Sequence, residues 1–200
     1  MIVIGERINA TRKKIAEAIE KRDAEFIRKE AEKQISCGAD FIDLNAGIGR
    51  GKEREKQDLK WLIEIVQEKG KIPISLDSSD IEIIGDCLPH IKSEKKMINS
   101  INGEEEKLKK SIPIIKEYPD CKIIALTMDD EGIPENVEKR IEISKKLVDI
   151  LKSNGVKEEN IFIDPLIQPV SVNFESGIIF LQALKKLKEL FPGVKTTCGL

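Results

Sequence analysis

Short apolar runs rich in Ile and Val recur along the chain and alternate with longer stretches whose apolar residues are spaced by three and four. The runs are IVIG near the start, FIDLN at 41, IPISLD at 72, KMINSI at 96, KIIALTM at 122, IFIDPLI at 161 and VKTTCGL at 194. Their apolar residues fall on consecutive positions, the pattern of strands buried on both faces. Between them the spacing is helical. Leu59, Leu62, Ile63 and Val66 fall at i, i+3, i+4 and i+7, and Gly70 is placed to end that helix. Ser79 with Glu82 predicts a capping box that opens the next helix, which carries Ile83, Ile84, Cys87 and Leu88 before Pro89 stops it. Ile141, Ser144, Val148 and Leu151 line a helix ended by Asn154-Gly155. Phe180, Leu184, Leu187 and Leu190 line another, ended by Pro192-Gly193. Residues 104–117 give a weaker helical signal, because Pro113 interrupts it.

Strands that alternate with helices and are apolar on both faces predict a parallel sheet covered by helices. An open doubly wound sheet and a (β/α) barrel both satisfy that pattern. The placement of polar residues favours the barrel. Asp43 and Asn45 close the second strand, Asp77 the third, Asn99 the fourth and Asp164 the sixth. Barrel enzymes build their sites from the C-terminal ends of several different strands. A doubly wound fold needs such residues only beside its switch point, and no GxGxxG or GxxxxGK[ST] follows any strand here. The plain alternative for each carboxylate is a cap on the following helix. For Asp77 that is weakened by Ser79, the better-spaced cap, and for Asp164 by Pro165 and the loop-like PLIQPVSVN. Asn45 is compatible with a mere turn at Ala46-Gly47. The stretch GIGRGKEREK, 47–56, reads either as a solvated mobile loop or as a basic element that steers an anionic ligand tail or a partner.

Composition narrows the classes. Charged residues make up 35% of the chain but nearly cancel, for a net charge of -2, so no basic surface invites nucleic acid. With aromatics at 4%, the core has to be built from Ile, Leu and Val. No run approaches the roughly 20 apolar residues of a membrane span, and the start lacks the features of a signal peptide, so a cytoplasmic protein is expected. Cys37, Cys87, Cys121 and Cys198 are scattered and His90 is the one histidine, which argues against structural zinc and for reduced, mostly buried thiols. His90, next to Pro89, is expected at the surface, and nothing suggests a Ser/His/Asp or Cys/His nucleophile.

Seven segments, in order, carry a family resemblance: IGERIN at 4–9, GADFIDLNAG at 38–47, LDSSD at 76–80, MINSING at 97–103, ALTMDDEGIP at 125–134, FIDPLIQP at 162–169 and KTTCGL at 195–200. The chain resembles the pterin-binding methyltransferases that exchange a methyl group between methyltetrahydrofolate and a corrinoid protein. More distant kin are the folate domain of cobalamin-dependent methionine synthase and dihydropteroate synthase. The resemblance implies a TIM (β/α)8-type barrel whose mouth holds the pterin. Carried over by motif, Asp77, Asn99 and Asp164 hold its donors and acceptors, while Asp43, Asn45, Glu6 and Asn9 line the mouth. Carboxylates accept from ring N-H and amino groups, and an amide supplies one donor and one acceptor.

The implied reaction is displacement at a methyl carbon by Co(I) of a corrinoid, or corrinoid iron-sulfur, partner protein, or the reverse, with no metal bound directly by this chain. The amine leaving group needs a proton or a strong hydrogen bond as the bond breaks. In relatives an Asn after the Gly-Leu of the seventh strand contacts that nitrogen, which places the catalytic residue beyond Leu200. A full barrel takes about 250 residues. Residues 1–200 are therefore expected to form a single pterin-binding domain that stops after the seventh strand, lacking the seventh helix, eighth strand and eighth helix, and the intact family is expected to dimerise. Two other readings remain: a noncatalytic or fragmentary pterin-binding domain, and dihydropteroate synthase. The latter is disfavoured by LDSSDIEI and INSI, where that enzyme carries a lysine after its third-strand Asp and an Asn-Asp on its fourth.

Overall fold

A computed structural model describes residues 1–169 and 171–199. The chain divides into two compact units, Met1–Asn99 and Ser100–Leu200. The first unit runs β1 (Ile4–Asn9), α1 (Lys13–Lys21), α2 (Ala24–Ser36), β2 (Phe41–Asn45), α3 (Lys52–Val66), β3 (Ile74–Asp77), α4 (Ile81–Cys87), a 3-10 turn (Leu88–His90) and the start of β4 (Lys96–Asn102). Strands β1 to β4 pair in chain order and every ladder is parallel. Ile42, Leu44, Ile74, Leu76, Met97 and Ile98 are fully buried, and Phe41 and Asp43 on the opposite parity of β2 are nearly so. Both faces of the strand are thus covered, as continuous apolar runs demand. Leu59, Leu62 and Ile63 of α3 lie at 0% exposure with Val66 beside them, each side chain contributing roughly 1.5–3 kcal/mol by leaving water.

Four local features of this unit differ from the sequence expectation. Strand β1 starts later than IVIG and runs through the polar GERIN, because it carries a bulge. Gly5 pairs with Ile42 and Ile8 with Leu44, so three steps on β1 match two on β2. The buried Gln34 of α2 accepts from the Arg7 N-H at 3.0 Å in that bulge. The first connection holds two helices where one was expected. Arg22, at φ 54, breaks them apart and Asp23 caps the second by accepting from the Phe26 N-H. The basic stretch 47–56 is helical from Lys52 onward, started by Gly51 at φ 90, and its cations are paired: Lys52 with Asp80, Arg54 with Asp58, Lys56 with Glu53 and Asp86. The cap of α4 is Asp80, which accepts from the Glu82 N-H at 3.0 Å, and not Ser79. An Asp accepts at this position as well as a Ser and places a negative charge at the helix N-terminus.

The second unit holds the end of β4, then α5 (Glu105–Glu117), β5 (Lys122–Leu126), α6 (Val137–Ser153), a 3-10 turn (Glu158–Asn160), β6 (Ile161–Asp164), α7 (Ser176–Leu190) and β7 (Lys195–Thr196). Strand β6 pairs in parallel with β5 and with β7. Helix α5 continues through Pro113. A proline removes one N-H from the ladder, but Leu108, Ser111 and Ile115 anchor the helix by their burial. The stripe Ile141, Ser144, Val148 and Leu151 of α6 is buried as its spacing predicts. On α7, Phe180 and Leu187 are buried but Leu190 is 46% exposed. Cys87 and Cys121 are buried, Cys37 and Cys198 exposed, all as free thiols, and His90 is exposed. Among the described residues no helix is long and apolar enough to cross a membrane.

Candidate functional site

Parallel register sets Asn9 against Asn45, Asn45 against Asp77, and Asp77 against Asn99. One row across four strands is therefore amide, amide, acid, amide. Asn99 does not close its strand, since β4 runs on to Asn102, but it stands level with the end of β3. Side chains two residues apart share a face, which puts Asp43 below Asn45 on the side of the row. The row is cross-linked. Asn45 donates through Nδ2 to Asp77 Oδ2 at 2.9 Å and accepts from the Gly47 N-H at 2.9 Å. Asn99 donates through Nδ2 to Asp43 Oδ1 at 3.2 Å. Asn45 is thus both a turn and the group that orients Asp77. The Oδ1 of Asn9 is taken up by Thr11, from its N-H at 2.9 Å and its hydroxyl at 2.6 Å.

Charge accumulates around this row. Asp43, at 1% exposure, is pushed up to about 7 by burial first and then by the carboxylates of Asp77 and Glu6, against weaker pulls from Ser75 and Asn99. Burial also raises Asp77, with Glu55 adding to the rise and the Asn45 hydrogen bond opposing it. Glu6, carried into place by the β1 bulge, is raised by burial and by Asp77, with Arg12 pulling it back. Neighbouring acids of this kind titrate as a coupled group, and Asp43 is poised between its protonated and ionised forms near neutrality. The row then offers donors as well as acceptors to a ligand with both.

Glu55 was not anticipated. It accepts a hydrogen bond from the hydroxyl of the buried Ser78, and its carboxyl lies 3.5 Å from where a Cβ on Gly47 would stand. The signal was present in the spacing. Glu55, Leu59, Leu62 and Val66 form one helical stripe, so an acid sits on the buried face of α3.

In the second unit Asp164 ends β6, opposite Leu126. Its Oδ1 accepts from the Leu166 N-H at 2.8 Å and its carbonyl from the Thr127 N-H at 3.1 Å. The carboxylate therefore shapes a turn and caps no helix. Its charge acts on Arg140 of α6, opposing the lowering that burial imposes on that guanidinium. Val170, within PLIQPVSVN, and Leu200, which ends KTTCGL, lie outside the described residues. Among the described residues, no three His, Cys, Asp or Glu side chains are disposed to hold a metal ion.

Parallel strands alternating with helices, with acids and amides at the strand ends, define the α/β barrel class. A solved dihydropteroate synthase from Clostridium difficile, determined in the presence of pteroic acid, superposes with a TM-score of 0.74 at 21% identity, over 98% of this chain and 74% of that one. A second, from Coxiella burnetii in complex with pteroic acid, gives 0.71 at 14% identity, over 98% and 72%. The fold is thus the TIM-barrel type expected from the strand-end residues, and the described residues supply seven of its strands. In sequence, the methylcorrinoid:tetrahydrofolate methyltransferase of Eubacterium limosum is 35% identical over all of this chain and 73% of its own length. The methionine synthase of Mycobacterium tuberculosis is 32% identical over all of this chain and 17% of its own. The pterin binding enzyme family matches residues 5–200, and the chain belongs to that family, on its methyltransferase branch.

Proposed function

We propose that this chain binds methyltetrahydrofolate and serves methyl transfer between that pterin and a corrinoid carried on a partner protein, in one direction or the other. The observation that carries the reading is the cross-linked row of Asn45, Asp77 and Asn99 over Asp43. A reduced pterin presents ring N-H and amino donors beside a carbonyl acceptor along one edge. Asp77 accepts from the donors, Asn99 supplies a donor and an acceptor, and Asp43, poised near neutrality, can be either. Asp164 is the third proposed ligand, contributed by the second unit, with residues 1–200 acting as one pterin-binding domain. Glu6 and Asn9 flank the site in this reading, and Asn45 acts by holding Asp77.

The corrinoid supplies the nucleophilic cobalt, so this chain's own part is to bind, orient and electrostatically prepare the methyl donor. Breaking the carbon-nitrogen bond leaves negative charge on the pterin nitrogen unless it is protonated or hydrogen bonded. Asp43, whose carboxyl is pushed up to about 7, keeps a proton at hand for the bound ring, and burial raises Asp77 in the same direction. The likeness to the Eubacterium limosum methyltransferase, at 35% identity, supports this chemistry over dihydropteroate synthesis. The partner in this reading is a corrinoid protein, and the enzyme acts as a homodimer in the cytoplasm.

Calorimetric titration with methyltetrahydrofolate tests the assignment. Asp77→Ala, Asn99→Ala and Asp164→Ala should each weaken binding by about tenfold or more, the loss of a hydrogen bond to a charged or buried group. Binding that survives all three changes would remove the site. Production of dihydropteroate from a pterin pyrophosphate would instead move the chain to the synthase branch.

A further inference from the structure

Arg140 is fully buried on α6, among the largest side chains with no exposure. Taking a guanidinium out of water is costly, and such groups persist where fixed acceptors meet them. Here the acceptors are backbone carbonyls. Nε donates to the Pro134 carbonyl at 3.0 Å, and Nη1 donates to the Pro165 carbonyl at 2.7 Å and to that of Leu166. Both residues gripped by Nη1 belong to the turn that directly follows Asp164. That turn is unusual in itself, because Leu166 sits at φ 61, a region side-chain-bearing residues rarely occupy. Its N-H is donated back to Asp164 Oδ1 at 2.8 Å. The guanidinium thus holds two carbonyls of a left-handed turn whose amide fixes one oxygen of the acid, and its charge acts on the same acid.

We infer that Arg140 is a positioning residue, which sets the orientation of the Asp164 carboxylate by clamping the turn at Pro165 and Leu166. Two carbonyls on one nitrogen and a third on another require a planar fork with fixed donors. A lysine ammonium keeps the charge but loses that geometry. The Nη2 atom is buried without a hydrogen-bond partner, so the side chain retains a donor that a purely structural clamp does not need. The functional side of the inference rests on Asp164 being a pterin ligand.

The test is a double-mutant cycle on methyltetrahydrofolate affinity, with amide exchange at position 166 read in parallel. Arg140→Lys should weaken binding about tenfold in the wild-type background and less than about twofold in Asp164→Asn, because a residue that acts through another has no effect once the other is disabled. Equal losses in both backgrounds, or none, would overturn the assignment. In the same variant the amide at 166 should exchange about tenfold faster while the amides of β5 stay protected; unchanged protection at 166 overturns the clamp. If wild-type protein binds no methyltetrahydrofolate, the proposed function fails by itself, and the exchange measurement still decides the clamp. Should Arg140→Lys not fold, exchange in the wild type under increasing denaturant serves: the amide at 166 should open together with the amides of α6 around Arg140, and opening of 166 well before α6 overturns the clamp.

Discussion

In the first unit burial raises the proton affinity of Asp43, Asp77 and Glu6; the Asp77 carboxylate raises Asp43 and Glu6 further, Glu55 raises Asp77, and the amides of Asn99 and Asn45 donate to Asp43 and Asp77. In the second, Asp164 ends a strand of the same kind but lies beside a buried arginine. One fold therefore presents acids at strand ends in two electrostatic settings. A buried carboxyl raised to about 7, as that of Asp43 is, exchanges its proton near neutrality and can act as donor or acceptor. A guanidinium beside a carboxylate favours its ionised form, which acts only as an acceptor.

The harshest way to break this contrast is to remove the cation. Arg140→Met keeps the volume but leaves the carbonyls of Pro134, Pro165 and Leu166 without their donor. Buried acceptors stranded in this way cost about 1–3 kcal/mol each, so a loss of roughly 4 kcal/mol is expected after partial relaxation. In a chain of this length that is about 10 °C in Tm, readable by calorimetry. A change under about 2 °C would mean the arginine is not what stabilises the turn.

Next in size is the loss of the acceptor in the first unit. Asp77→Ala removes the partner of Asn45 Nδ2 as well as a proposed ligand group. The expected cost to methyltetrahydrofolate binding is about 2–3 kcal/mol, close to a hundredfold. Asn45→Ala should cost less, about tenfold, because it disturbs Asp77 without deleting it. Equal losses would make Asn45 a ligand in its own right.

The proton affinity of Asp43 gives a third handle, and its sign is fixed. The folded carboxyl sits at about 7 against an ordinary 3.8, so between those values the folded state holds a proton that the unfolded state has released. Its contribution to stability is complete below 3.8 and is lost as pH rises through about 7. In the steepest part the slope is about 1.4 kcal/mol per pH unit. Unfolding measured from pH 4.5 to 8 should show this decline in the wild type and a flatter curve in Asp43→Asn, which cannot titrate. Parallel curves would mean that Asp43 is ionised throughout.

How far these features could be seen in the sequence depends on what each required. Buried strands and their polar ends were legible because consecutive apolar residues leave a strand no exposed face, which makes Asp43, Asp77 and Asp164 conspicuous. The side-by-side setting of Asn9, Asn45, Asp77 and Asn99 is a matter of register, and register is decided by pairing between distant segments. The β1 bulge was hidden for the same reason, since it depends on Gln34 of another element reaching the Arg7 N-H. Gly5 is its one local trace, because a Cβ there would stand 2.5 Å from the Gln34 amide oxygen. Arg140 escaped notice because a single arginine in a helix rich in Lys and Glu reads as a solvated residue, and only the turn after β6 turns it inward.

The smallest effect sharpens the first half of the contrast. If Asp77 is held above its ordinary range partly by the Glu55 carboxylate, then Glu55→Gln removes that charge while the amide oxygen can still accept from Ser78. The proton affinity of Asp77 should then fall, and with it the pH below which the ionised acceptor is lost. Methyltetrahydrofolate affinity near pH 7 should change by about threefold at most, roughly 0.5 kcal/mol. The acid side of the binding curve, in contrast, should move to lower pH. A substitution in α3 that shifts the pH profile without moving the plateau acts through charge alone, whereas one that lowers the plateau and leaves the profile in place acts by disturbing the hydrogen bond to Ser78. The two outcomes separate an electrostatic role for Glu55 from a packing one, and the crowd of acids in the first unit requires the former.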